Sequence, residues 1–206
     1  MSEPSFTDAA GTTPRTDLPI AFRAFQELHA QPYFDFALTV LGDQTLAQHT
    51  VNEVFLSLVD RWDRVLTDPN PNPHAYAWAA LRCAVEAQRA RDTEHRLLIE
   101  RLVFSAVVRR EAEPLIADIH ADALADRSDE EVGVSVAAAV LELSGAKFDV
   151  IVLRYLNKYS VARTAQAMGV DEITVRSLTS QAKAKIEARL APRRLLRRGP
   201  AKHDQE

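Results

Sequence analysis

The 206-residue sequence has one cysteine, six glycines and two methionines. With Cys83 alone no internal disulfide can form, and the six histidines show no metal-ligand spacing, so a disulfide scaffold and a Cys/His metal site are both excluded. Glycines are too few and too scattered to build a phosphate-cradling loop, and no cofactor is expected. Long apolar runs are also missing. The longest nearly uncharged one, Val132 to Leu141, is about half of the ~20 residues that cross a bilayer, so no membrane span is expected. Nowhere do apolar and polar residues alternate over the length of a strand, which leaves an all-α class. The opening Met-Ser-Glu-Pro-Ser has neither the basic nor the apolar part of a signal peptide, and the unpaired thiol agrees with a reducing, cytoplasmic setting. Cys83 falls in a helical pattern beside apolar neighbours and is expected to be a buried, inert thiol rather than a nucleophile.

What is present is an ordinary apolar content of 47% and a charge that is unevenly spread. The formal net charge of -4 hides a split: from Lys158 onward there are 11 Lys and Arg against 5 Asp and Glu, whereas the preceding part holds 14 against 24. An acidic body therefore carries a basic C-terminal quarter, and phosphate neutralisation needs only the latter.

Along the chain, residues 1–18 have almost no large apolar side chains and predict a mobile tail. Phe22, Phe25, Tyr33, Phe36, Ala37 and Val40 mark one helical face that Pro32 should bend or split, and Gly42 stops it. A second stripe runs through Leu46, Ala47, Val51, Val54, Phe55, Leu58, Val59 and Trp62. The prolines of Asp68-Pro-Asn-Pro-Asn-Pro73 make a loop, after which Tyr76, Ala80, Leu81, Ala84 and Val85 share a face of a third helix. These give a helical domain over 19–92. Residues 93–133 read as an acidic linker, partly helical and partly mobile, most solvated at Asp126 to Glu131. A second helical domain is expected over 134–191, followed by a basic tail at 192–206.

The informative segment is Ser160 to Ser180. Two helices that cross steeply need a small residue where the backbones approach, a residue tolerant of positive φ in the turn and an apolar plug on the second helix. Ala165, Gly169 and Val175 supply these, Val161, Met168, Val170 and Leu178 fill further inward positions, and Asp171 can cap a second helix from about Glu172 to Leu190. In a helix-turn-helix that second helix enters the major groove by its N-terminal end, so Glu172, Thr174, Arg176, Ser177 and Ser180 are candidates for bases and phosphates. Lys183, Lys185 and Arg189 continue a basic face.

The order of features over about residues 20–191 resembles the sigma-70 family of bacterial sigma factors, specifically the extracytoplasmic-function group. Leu41-Gly-Asp43 followed by Ala47 to Val59 looks like that family's polymerase-binding helix, Pro73 to Arg89 looks like the helix that reads the promoter −10 element, and Phe148 to Tyr155 leads into the helix-turn-helix as in the family's −35-binding domain. The resemblance implies an initiation factor, not an enzyme, with core RNA polymerase, promoter DNA and an anti-sigma protein as partners. It places Gln48, Asn52, Glu53 and Leu56 on the polymerase-facing side, Trp78, Arg82, Arg89 and Arg91 at the −10 strand, and Glu172, Thr174, Arg176, Ser177, Ser180 and Lys183 at the −35 duplex. Trp62 and Tyr76 could stack on bases, but core packing serves them at least as well. Cys83 and Glu86 stand where the family usually has an asparagine and an aspartate, and Arg163-Thr164-Ala165 replaces a Glu-Ile-Ala run. These departures support an alternative, a sigma-like regulator that binds polymerase, DNA or an anti-sigma factor without initiating.

Overall fold

The computed structural model describes residues 19–67, 72–91, 104–119 and 128–191. The expected tails at 1–18 and 192–206, the linker stretches 92–103 and 120–127 and most of the proline loop lie outside them. Among the described residues there is no strand, and the class is all-α.

Helix α1 (Ile20–Leu41) is continuous through Pro32, which the sequence suggests should bend or split it; the helix forgoes one backbone donor there while Phe22, Phe25, Tyr33 and Phe36 stay buried on one side. Gly42 ends it in the left-handed region at φ 69°, its amide donating to the Leu38 carbonyl. Asp43 then caps α2 (Gln44–Val59) by accepting from the Leu46 amide at 2.8 Å. The stripe expected to continue to Trp62 is interrupted: Trp62 opens a short helix α3 (Trp62–Leu66), and its indole meets the Phe22 ring edge-on at 5.0 Å. Pro73 opens α4 (Pro73–Ala90), capped by the Asn72 side chain.

Among the described residues the expected acidic linker is mostly helix. Residues 104–111 form α5 and Glu113–Asp118 form α6; Phe104 stacks on Phe148 at 5.9 Å and Val108, Ala112 and Leu115 are buried. This stretch is packed against the C-terminal half rather than loosely tethered to it. Helix α7 (Asp129–Leu141) starts five residues before the expected 134, because Ser128 and Glu131 form a capping box. Helix α8 (Ala146–Ile151) widens into a π-helical turn (Val152–Leu156), in which the Asn157 amide reaches the Val152 carbonyl at 2.9 Å. Then come α9 (Val161–Met168) and α10 (Glu172–Leu190).

The buried side chains of both halves make one continuous core. Direct ties cross it, among them Tyr159 Oη donating to Asp35 at 2.6 Å, Thr39 Oγ1 to Asn157 at 3.1 Å, and Asn72 Nδ2 to the Gly169 carbonyl at 2.9 Å. Helix α4 thereby lies against α9, so the two expected domains are in contact.

Candidate nucleic-acid interface

Helix α9 turns into α10 within three residues. Ser160 caps α9 by accepting from the Arg163 amide at 3.1 Å, Gly169 takes φ 67°, and Asp171 accepts from the Thr174 amide to start α10. That amide bond holds the Asp171 carboxyl below the usual carboxylate range, so the cap is ionised and favours the positive end of the helix dipole. Ala165, Met168 and Val175 are buried at the crossing, and Val161, Val170 and Leu178 are packed against the core. The turn and both limits of α10 agree with the sequence reading.

The front of α10 is open. Arg176, Ser177 and Ser180 are exposed, Glu172 and Thr174 are half-buried, and Glu172 pairs with Arg176 at 2.7 Å across one turn. Ile173 projects between them at 76% exposure, a position that the sequence argument does not name. The signal was available: it follows Glu172 directly, away from the Val175 side. Further along, the cations are held by acids of neighbouring elements. Lys183 donates to Asp118 of α6 at 3.3 Å, and Arg189 lies 2.8 Å from Glu142 after α7. The Tyr155 hydroxyl and Lys183 together keep Asp118 below its ordinary range, and Arg189 does the same to Glu142. DNA phosphates would compete with these carboxylates for Lys183 and Arg189, whereas Arg176 is shared only along its own helix.

The other candidate helix is covered. Trp78, proposed for an opened strand, is 4% exposed and wedged against Phe36 and Tyr33 with ring centroids 4.8 Å and 5.7 Å away. Its indole N–H donates at 3.0 Å to Asp149 of α8, and Arg82 Nε is also 3.0 Å from that carboxylate oxygen. Asp149 is 2% exposed; burial pushes its carboxyl up to about 6, and Arg82 and Trp78 act in the opposite direction. This acid was missed by sequence reasoning, although its place in the apolar stretch Phe148 to Leu153 marked it. Arg89 is half-buried and Arg91 exposed on the same helix. Trp62 is buried, and Tyr76 is 43% exposed.

Cys83 is exposed, contrary to expectation. The inward stripe of α4 is Ala77, Trp78, Leu81 and Val85, and position 83 falls between its members. On α2, Gln48, Asn52, Glu53 and Leu56 all face solvent, with Gln48 donating to Asn52 at 3.0 Å. Leu56, 66% exposed, stands at the rim of a shallow groove floored by Phe22 and Phe55. Among the described residues no group of His, Cys, Asp and Glu is placed to hold a metal, and no helix is long and apolar enough to cross a membrane.

Residues 134–186, from within α7 to within α10, match the family model of sigma-70 region 4. No curated protein matches the chain. The matched segment contains the whole α9 turn and the open front of α10, and region 4 is a transcription-factor domain rather than an enzyme. Over this C-terminal segment the chain is similar to region 4 of the sigma-70 family, a DNA-binding part of a sigma factor.

Proposed function

We propose that the chain is a sigma factor of the extracytoplasmic-function type, which binds core RNA polymerase and directs it to promoters. The observation that carries this reading is the helix-turn-helix within the region 4 match, whose α10 presents Ile173, Arg176, Ser177 and Ser180 outward while its back is fixed by Val175, Ala182 and Ile186. Such a front can enter the major groove of a −35 element, with Arg176 for a guanine edge or a phosphate and Ile173 for a thymine methyl. Supporting it, α2 offers a solvent-facing side with Leu56 over an apolar groove, a suitable seat for a polymerase clamp. Helix α4, with Trp78, Arg82, Arg89 and Arg91, is assigned to the −10 strand, and a cytoplasmic setting and an anti-sigma partner follow from the same reading.

Pull-down of core polymerase followed by run-off transcription tests this. The wild type retains core at low salt and yields promoter-dependent transcripts, and Leu56→Glu loses both; no core retention by the wild type overturns the proposal. A second reading, a sigma-like regulator that does not initiate, is favoured by α4, where Cys83 and Glu86 depart from the family pattern and Glu86 is spent on Arg82 at 3.1 Å. Core retention without transcripts would select it.

A further inference from the structure

A cleft of about 200 Å³ lies between the C-terminal half of α4 and the loop that joins α7 to α8. Phe36, Val85 and Phe148 give it an apolar floor, and Arg82, Glu86 and Arg89 stand along its α4 side. The two arginines are not equivalent. Arg82 has its Nε 3.0 Å from Asp149 and its Nη2 3.1 Å from Glu86, so one guanidinium already answers both carboxylates of the cleft. Arg89, further along the same helix, is half-buried and pairs with no carboxylate among the described residues. Holding a guanidinium partly out of water without an anion costs free energy, which a bound carboxylate recovers.

We propose that this cleft is a binding site for a small aromatic carboxylate, with its ring on the floor of Phe36, Val85 and Phe148 and its acid group on Arg89. Size sets the first limit: about 200 Å³ is below the range of pockets that hold drug-sized ligands, so the occupant is a single ring rather than a nucleotide. Charge sets the second. Arg89 lacks one negative partner, whereas a second negative charge on the ligand would lie against Glu86 and Asp149. The hydroxyl of Ser144, exposed on the loop side of the cleft, can donate to the other carboxylate oxygen. The walls come from α1 and α4 on one side and from the α7–α8 loop and α8 on the other, so a bound acid touches both halves and stabilises the folded chain by mass action. The site stands apart from the assignment of α4 to the −10 strand.

The probe is para-fluorobenzoate, followed by the width of its fluorine resonance as the full chain is titrated in, with para-fluorobenzamide as the uncharged match. The wild type is expected to broaden the acid and not the amide, and the acid to raise the melting temperature saturably. Arg89→Gln keeps a hydrogen-bonding side chain but removes the charge, and should weaken binding of the acid at least about tenfold. Ser144→Phe, on an exposed loop, should plug the cleft and abolish both the broadening and the rise in melting temperature. Circular dichroism checks that the two variants keep the helix content of the wild type. No broadening by the wild type overturns the proposal, as does equal broadening of acid and amide or undiminished binding by Arg89→Gln. Binding that survives Ser144→Phe puts the acid elsewhere on the chain and overturns it as well.

Discussion

The front of α10 and the inner face of α4 are both helix surfaces with arginines, yet they meet opposite environments. On α10 the outward residues are fixed only from behind, and their one ion pair, Glu172 with Arg176, runs along the helix itself. On α4 the aromatic ring and the guanidinium are turned into a seam and satisfied by a carboxylate 2% exposed. An exposed pair of this kind is worth little and yields readily to a phosphate, whereas a buried carboxylate deprived of its partners pays the full cost of desolvation. One surface is open to solvent; the other is enclosed by the seam.

The largest way to break this contrast is Gly169→Val. The position needs positive φ and has no room beside Ala75, so the change strikes the helix-turn-helix and the seam at once; a loss of about 3 kcal/mol is expected in chemical denaturation. Arg176→Ala should weaken duplex binding by about tenfold with an unchanged melting temperature, as expected for a base or phosphate contact on an open helix. Arg82→Ala should do the reverse, lowering the melting temperature and leaving duplex binding by the free chain nearly intact.

The two halves also respond to acid with opposite signs. His29, fully buried and 2.6 Å from His74, is pushed down to about 4, chiefly by burial and then by His74. An unfolded histidine keeps the ordinary 6.5, so its contribution to stability is complete above 6.5 and is lost as pH falls toward 4. The urea midpoint should therefore drop between pH 7 and 4.5, and less so in His29→Leu. Asp149 has the opposite sign. Raised from 3.8 to about 6, it holds its proton more tightly where the two halves are packed, so its contribution to that packing is complete below 3.8 and is lost as pH rises through about 6. The facing groups on α4 are Arg82, which opposes the shift, and Glu86, which adds to it. Scattering at pH 5.5 and 7.5 should show a slightly larger radius at the higher pH, and Asp149→Asn should abolish the difference. The smallest effect is expected for Arg189→Ala, whose exposed pair with Glu142 should leave the melting temperature unchanged and cost only salt-sensitive DNA affinity.

Local chemistry made the helix-turn-helix legible. Ala165, Gly169, Asp171 and Val175 each act within a few residues of their own position, so spacing alone placed the turn and both ends of α10. The start of α7 was equally local, but Ser128 and Glu131 look like a solvated stretch until their spacing is read as a capping box. Trp62 was harder, since α2 ends and α3 begins without glycine or proline between them. The burial of Trp78, the exposure of Cys83 and the docking of α5 and α6 depend on which elements meet in space. No period in the sequence encodes that Asp149 and Trp78, 71 residues apart, share a hydrogen bond.

The account turns on whether this chain gives polymerase a promoter. Core RNA polymerase on a library of genomic fragments, with and without the full chain, followed by sequencing of transcript 5′ ends, reads that directly. A sigma factor yields a narrow set of start sites that appear only with the chain, share sequence near −35 and vanish with Arg176→Ala. The same start sites in both reactions, or none despite core retention, would contradict it.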